Sequence, residues 1–144
     1  MNLRKRLSVF GLLLAVTTIM PPLVRANDWN QTTRFTFSQP VQIPGQVLAA
    51  GTYRFQLADT DNRHLVQIFR EDRTLVATLY SVPRMRNGHG AEGAITLANL
   101  GETQPEAIVA WFFVGEAEGH EFLYPKREKQ ELAHATRMTL VTGD

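Results

Sequence analysis

The 144-residue chain carries 15 Lys and Arg against 14 Asp and Glu, and it contains no cysteine. Without disulfides, stability has to come from apolar burial and sheet hydrogen bonding. Arg4, Lys5, Arg6 and Arg25 precede residue 27 and no acidic residue does. Residues 27–144 therefore hold 11 basic and 14 acidic side chains, a net charge of −3, which argues against nucleic acid or a polybasic membrane surface as partner.

Residues 1–26 predict a cleavable signal peptide. Arg4, Lys5 and Arg6 form a positive start, residues 7–20 are uncharged and mostly apolar, and Pro21-Pro22 breaks any helix before Val24-Arg25-Ala26. The competing reading is an uncleaved membrane anchor. The apolar run is only 14 residues, whereas a spanning helix needs about 20. With no Cys after the cut, a lipid-anchored variant has no attachment point. The expected product is an exported chain starting near Asn27, secreted or periplasmic, with no membrane span after cleavage.

From residue 33 onward, short apolar or alternating runs are punctuated by turn residues about every eight to twelve positions, the spacing of a sandwich or barrel. Residues 33–37 place Phe35 and Phe37 on one face, and Pro40 and Ile43-Pro44-Gly45 interrupt the pattern. Residues 52–57 point Tyr53, Phe55 and Leu57 one way and Arg54 and Gln56 the other. After the polar turn Asp59-Thr60-Asp61-Asn62, residues 65–69 and 75–82 predict a hairpin around Glu71-Asp72-Arg73.

Residues 83–93 read as a glycine-containing loop before a short strand at 94–98, and 99–105 as another loop. Residues 107–114 are apolar on both faces and predict a central strand covered on both sides. Gly115 and Gly119 bracket a turn into 121–124. After Pro125, residues 126–135 predict a short helix with Leu132 as its apolar anchor, followed by a loose tail. The expected fold is mainly β: a single β-sandwich-like domain of seven or eight strands over 27–125, then a short C-terminal helix and tail over 126–144.

Phe37, Pro40-Val41, Ile43-Pro44-Gly45, Leu48, Ala50-Gly51-Thr52-Tyr53, Phe55 and Leu57 form a string that resembles a family of small, signal-peptide-bearing bacterial proteins of unknown function. The resemblance continues through Val66-Gln67-Ile68-Phe69, Ala77-Thr78, Pro83, Trp111-Phe112, Gly115, Glu121-Phe122 and Tyr124-Pro125-Lys126. It implies no activity, cofactor or catalytic residue. Residues 48–53 alone also resemble a turn of transthyretin-like and carboxypeptidase-regulatory-like β-sandwiches.

Two polar clusters are candidates for chemistry. In extended backbone Glu116, Glu118 and His120 project from one face and suit a divalent cation; in a solvated hairpin tip they do not. Arg84, Arg86 and His89 lie among glycines, where guanidiniums suit a carboxylate, phosphate or acidic glycan, or merely keep an exposed loop soluble.

No nucleophile motif is evident. Ser38 and Ser81 are the only serines after residue 26, and neither stands in a Gly-x-Ser-x-Gly turn. Gly88, Gly90 and Gly93 lack the Lys-Ser/Thr of a phosphate loop. His64 and His134 are isolated, and Trp111-Phe112-Phe113 reads as core.

The expectation is an exported, non-enzymatic β-domain that binds an envelope or extracellular partner or plays a structural role there, as a monomer with no cofactor. The alternatives are a small metal-dependent hydrolase built on the 84–93 and 115–121 loops, or a strand-exchanging adhesion or assembly subunit.

Overall fold

In β1 (Thr32–Phe37), Thr33, Phe35 and Phe37 are buried while Arg34 and Thr36 are exposed, the two-residue period of a strand with one face on a core. The computed structural model describes residues 32–88 and 90–141; the expected leader lies outside them. After β1 come β2 (Val41–Ile43), β3 (Gln46–Leu48), β4 (Gly51–Leu57), β5 (Leu65–Arg70) and β6 (Leu75–Met85). Then follow β7 (Ala94–Asn99), β8 (Glu106–Phe112), β9 (Glu118–Phe122), α1 (Lys126–Ala133) and β10 (Thr136–Val141). The molecule is mainly β and sandwich-like, as expected.

One layer runs β1-β4-β5-β6, all antiparallel. β6 then crosses to the second layer. As far as Tyr80 it pairs with β5, and from Ser81 to Met85 it pairs with β9. The second layer continues β9-β8-β7-β10, and β2 runs parallel to the start of β8. Phe35, Tyr53, Phe55, Val66, Ile68 and Leu79 from the first layer meet Ile43, Ile95, Leu97, Ile108, Trp111 and Phe122 from the second in one core. The aromatic rings interlock, with Phe35 edge-on to Phe55 at 5.2 Å and Trp111 6.2 Å from Phe55. The indole N–H of Trp111 donates to Thr33 Oγ1 at 3.0 Å, so this buried polar group of the core is satisfied across the layers.

β8 is buried along almost its whole length, the doubly covered strand that its sequence predicts. α1 is the cover on part of its outer side: Leu132 packs with Ala98, Ala107 and Val109. Glu128 of α1 accepts from Gln42 Nε2 and the Gly45 N–H, each at 3.3 Å, which ties the helix to the β2–β3 ribbon. Tyr124 donates its hydroxyl to the Ile108 carbonyl at 2.8 Å and lies 3.2 Å from that of Gln42; burial pushes its ionisation far above the usual phenol range.

Three expectations are corrected. The described residues form ten strands, in part because Ile43-Pro44-Gly45 is not a break but a tight turn. Gly45, at φ +78°, takes the left-handed position after Pro44 and folds β2 onto β3. The loose tail is instead strand β10. α1 stops at Ala133, and the β-favouring residues that follow add to the edge of β7 with Thr136 opposite Asn99. Finally, the loop expected from residue 83 begins later, since β9 holds Pro83, Arg84 and Met85 in β6.

Candidate functional site

The turn between β4 and β5 is shaped by its own side chains. Thr60 Oγ1 accepts from the Asn62 N–H at 3.2 Å, and Asn62 Oδ1 accepts from the His64 N–H at 3.0 Å, the local bonds that Asn and Thr favour over regular structure. The His64 carbonyl then receives both the N–H and the hydroxyl of Ser81, at 2.8 and 3.1 Å. Ser81 is the residue at which β6 changes layers, so one serine anchors this turn to the crossover.

His120 stands beside it on β9. Its register partners are Pro83 on β6 and Trp111 on β8, and its ring stacks on the Trp111 indole with centroids 5.4 Å apart. Its Nδ1 lies 3.2 Å from Ser81 Oγ. With the Ser81 hydroxyl proton given to the His64 carbonyl, the serine oxygen is the acceptor in this contact and the imidazole donates through Nδ1. Nε2 is then left with a free lone pair. Among the described residues the only buried side-chain polar atom without a partner is Arg54 Nε, so His120 Nε2 reaches solvent. Burial lowers the pKa of His120 to about 4, with the nearby charges of His64 and Arg63 adding to the effect, and the ring is neutral at neutral pH.

Asp61, Asn62, Arg63 and His64 from the turn, Pro83 from β6, and Glu116, Glu118 and His120 around the start of β9 line a cleft of about 600 Å³. The three residues expected as a cation site therefore share one concavity. They do not share one point: among the described residues no three His, Cys, Asp or Glu side chains gather as a metal site. The reason is local. β9 starts at Glu118, so strand alternation aligns only Glu118 and His120, while Glu116 belongs to the preceding turn.

Arg84 and Arg86 lie elsewhere, and His89 is outside the described residues. Arg84 points from the face of β6 opposite to Pro83 and pairs with Glu121 of β9 at 2.7 Å. Arg86 donates to three backbone carbonyls, Glu116 at 2.9 Å, Phe113 at 3.4 Å and Gly90 at 3.5 Å, and its guanidinium lies over the Phe112 ring at 5.1 Å. It is a clasp that holds the β8–β9 turn against the 86–93 loop.

Sequence reasoning passed over the second wall of the cleft, where His64 appeared isolated and residues 59–62 appeared as a plain turn. No local signal marks them, because the β5–β6–β9 pairing that brings them to His120 spans 56 positions, from residue 64 to residue 120. In comparison with known proteins, the chain matches no family model, no curated protein and no solved structure.

Proposed function

We propose that this chain is an exported, non-enzymatic binding domain, periplasmic or secreted, which seats a small polar, positively charged ligand in the cleft around His120. The observation that carries the reading is the composition of that cleft: three carboxylates, Asp61, Glu116 and Glu118, face one guanidinium, Arg63, around a neutral imidazole with a free acceptor nitrogen. An amine is recognised there by carboxylate oxygens and by Nε2, all of which accept hydrogen bonds. Its volume of about 600 Å³ falls in the usual range for small-molecule sites, roughly 300–1,000 Å³.

The hydroxyl best placed for nucleophilic chemistry favours a non-enzymatic role. Ser81 is 3% exposed and directs its proton to a backbone carbonyl. A nucleophilic serine instead gives its proton to the base and faces the substrate. Among the described residues no helix is long and apolar enough to cross a membrane. Export rests on the signal-like residues 1–26, and mass spectrometry of the product is its check: a mature start near Asn27 is expected, and an intact Met1 contradicts it.

Titrating the ¹⁵N-labelled chain with spermidine tests the binding reading. Saturable shifts confined to residues 61–64 and 116–120 are expected, with loss of saturation in Asp61→Asn/Glu118→Gln. No shift at millimolar spermidine, or shifts scattered over every acidic position, refutes it.

A further inference from the structure

Alternate residues of the β6–β9 ribbon face opposite ways. Pro83, Glu118 and His120 line the carboxylate-rich cleft, whereas Arg84 and Glu121 lie on the other face. There a second cleft, of about 290 Å³, is lined by Arg84, Arg86, Asn87, Thr96, Phe112 and Arg137, with Met85 at its rim. Its floor is formed by two buried residues, Thr96 and Phe112. Among the described residues no carboxylate lines it.

The charge accounts of the three guanidiniums differ. Arg84 is matched by Glu121, which it reaches through a single nitrogen, leaving its other N–H groups available. Arg86 is half-buried and fixed by three neutral carbonyls and an aromatic face, so it is held rigidly and its charge has no carboxylate partner. Arg137, on β10, makes no hydrogen bond or ion pair among the described residues. Two positive charges thus converge uncompensated on one concavity, with a third guanidinium beside them. Guanidinium forks match the paired oxygens of phosphate and carboxylate groups, and a pre-positioned fork loses less freedom on binding.

We infer that this second cleft is a binding site for a small, multiply charged oxyanion, a phosphate or a polycarboxylate. It is independent of the amine site, being built from the other face of the ribbon and from β7, β8 and β10. The anion bridges Arg86 and Arg137, with the Thr96 hydroxyl and the Asn87 amide completing its hydrogen bonds. Its size restricts it to a free anion or the charged end of a larger molecule.

The experiment is a titration of the ¹⁵N-labelled full chain with inorganic phosphate and, separately, with citrate, each against sodium chloride at matched ionic strength. Saturable shifts are expected at residues 84–87, 96, 112 and 137 with at least one anion and not with chloride, and which anion saturates tells phosphate from carboxylate selectivity. Arg137→Gln, an exposed change that breaks no internal bond, is expected to weaken binding by about tenfold, the usual effect of losing one charge-assisted hydrogen bond. Arg34→Gln on β1 is expected to leave it unchanged. The proposal is overturned if neither anion saturates these positions at millimolar concentration, or if Arg137→Gln binds like the parent chain while its circular dichroism shows the same fold.

Discussion

Gly119 sits so tightly against Phe112 that a β-carbon built on it would lie 2.4 Å from the ring and 2.5 Å from the Trp111 carbonyl oxygen. This glycine is buried between Glu118 and His120 on β9, next to the point where His120 pairs with Trp111 of β8. The sequence reading treats it as the end of a turn; its real task is to let two strands of the second layer meet over an aromatic ring.

Gly119→Ala is therefore expected to force Phe112 or the β8 backbone aside, at a cost of about 1–3 kcal/mol or more, as overpacking of a core does. Gly115→Ala is the informative contrast. Nothing lies within 4 Å of its β-carbon position, but its φ is +80°, so the penalty is the left-handed strain of roughly 1–2 kcal/mol alone. Urea unfolding of both separates the two. A Gly119→Ala chain as stable as the parent contradicts the close approach.

The bond between the Trp111 indole and Thr33 yields a second expectation. Thr33→Val keeps the side-chain shape but orphans a buried N–H, which costs about 1–3 kcal/mol. Trp111→Ala removes the largest fully buried side chain and should cost about 3–5 kcal/mol, a large part of a typical margin of about 5–15 kcal/mol. Chemical denaturation of each variant measures both, and equal stabilities would show that the layers do not depend on this link.

Stability should depend on pH through His120. Its folded pKa, about 4, is depressed below the ordinary 6.5. The unfolded chain thus takes up the proton at a higher pH than the folded one, and protonation favours unfolding. The contribution is complete above about 6.5 and is lost as pH falls toward about 4. Thermal melts across that window are expected to fall in the parent chain and to fall less in His120→Gln. Parallel curves for the two would assign the pH dependence to other groups.

Much of this architecture is legible in the sequence, and the parts that are not share a cause. The alternation of Tyr53, Phe55 and Leu57, the hairpin around Glu71-Asp72-Arg73, the doubly covered β8 and the Leu132 helix are all local patterns, and each appears in the fold. β10 is not legible, because six residues near the end of a chain become a strand only when the free edge of β7 is beside them. The gathering of Glu116, Glu118 and His120 in one cleft is foreshadowed by their spacing, but the opposite wall at residues 61–64 depends on strand order. Likewise, Arg84 and Arg86 are visible as a basic pair, whereas the third member of their cleft, Arg137, sits on the strand that had seemed a tail.

That strand supplies a further expectation. Ending the chain after Ala135 removes β10 and exposes the β7 edge, so hydrogen exchange should accelerate over Ala94–Asn99 while the β4–β5 ladder keeps its protection. Unchanged protection of β7 would mean that β10 does not hold it.

The functional reading rests on the chemical state of one imidazole. Nitrogen-resolved NMR of His120 at neutral pH should find the ring neutral, with its proton on Nδ1 toward Ser81 and Nε2 bare, and should find it still neutral until the pH approaches about 4. An imidazolium at mildly acidic pH, or a proton on Nε2 at neutral pH, would contradict the geometry on which the amine site is built.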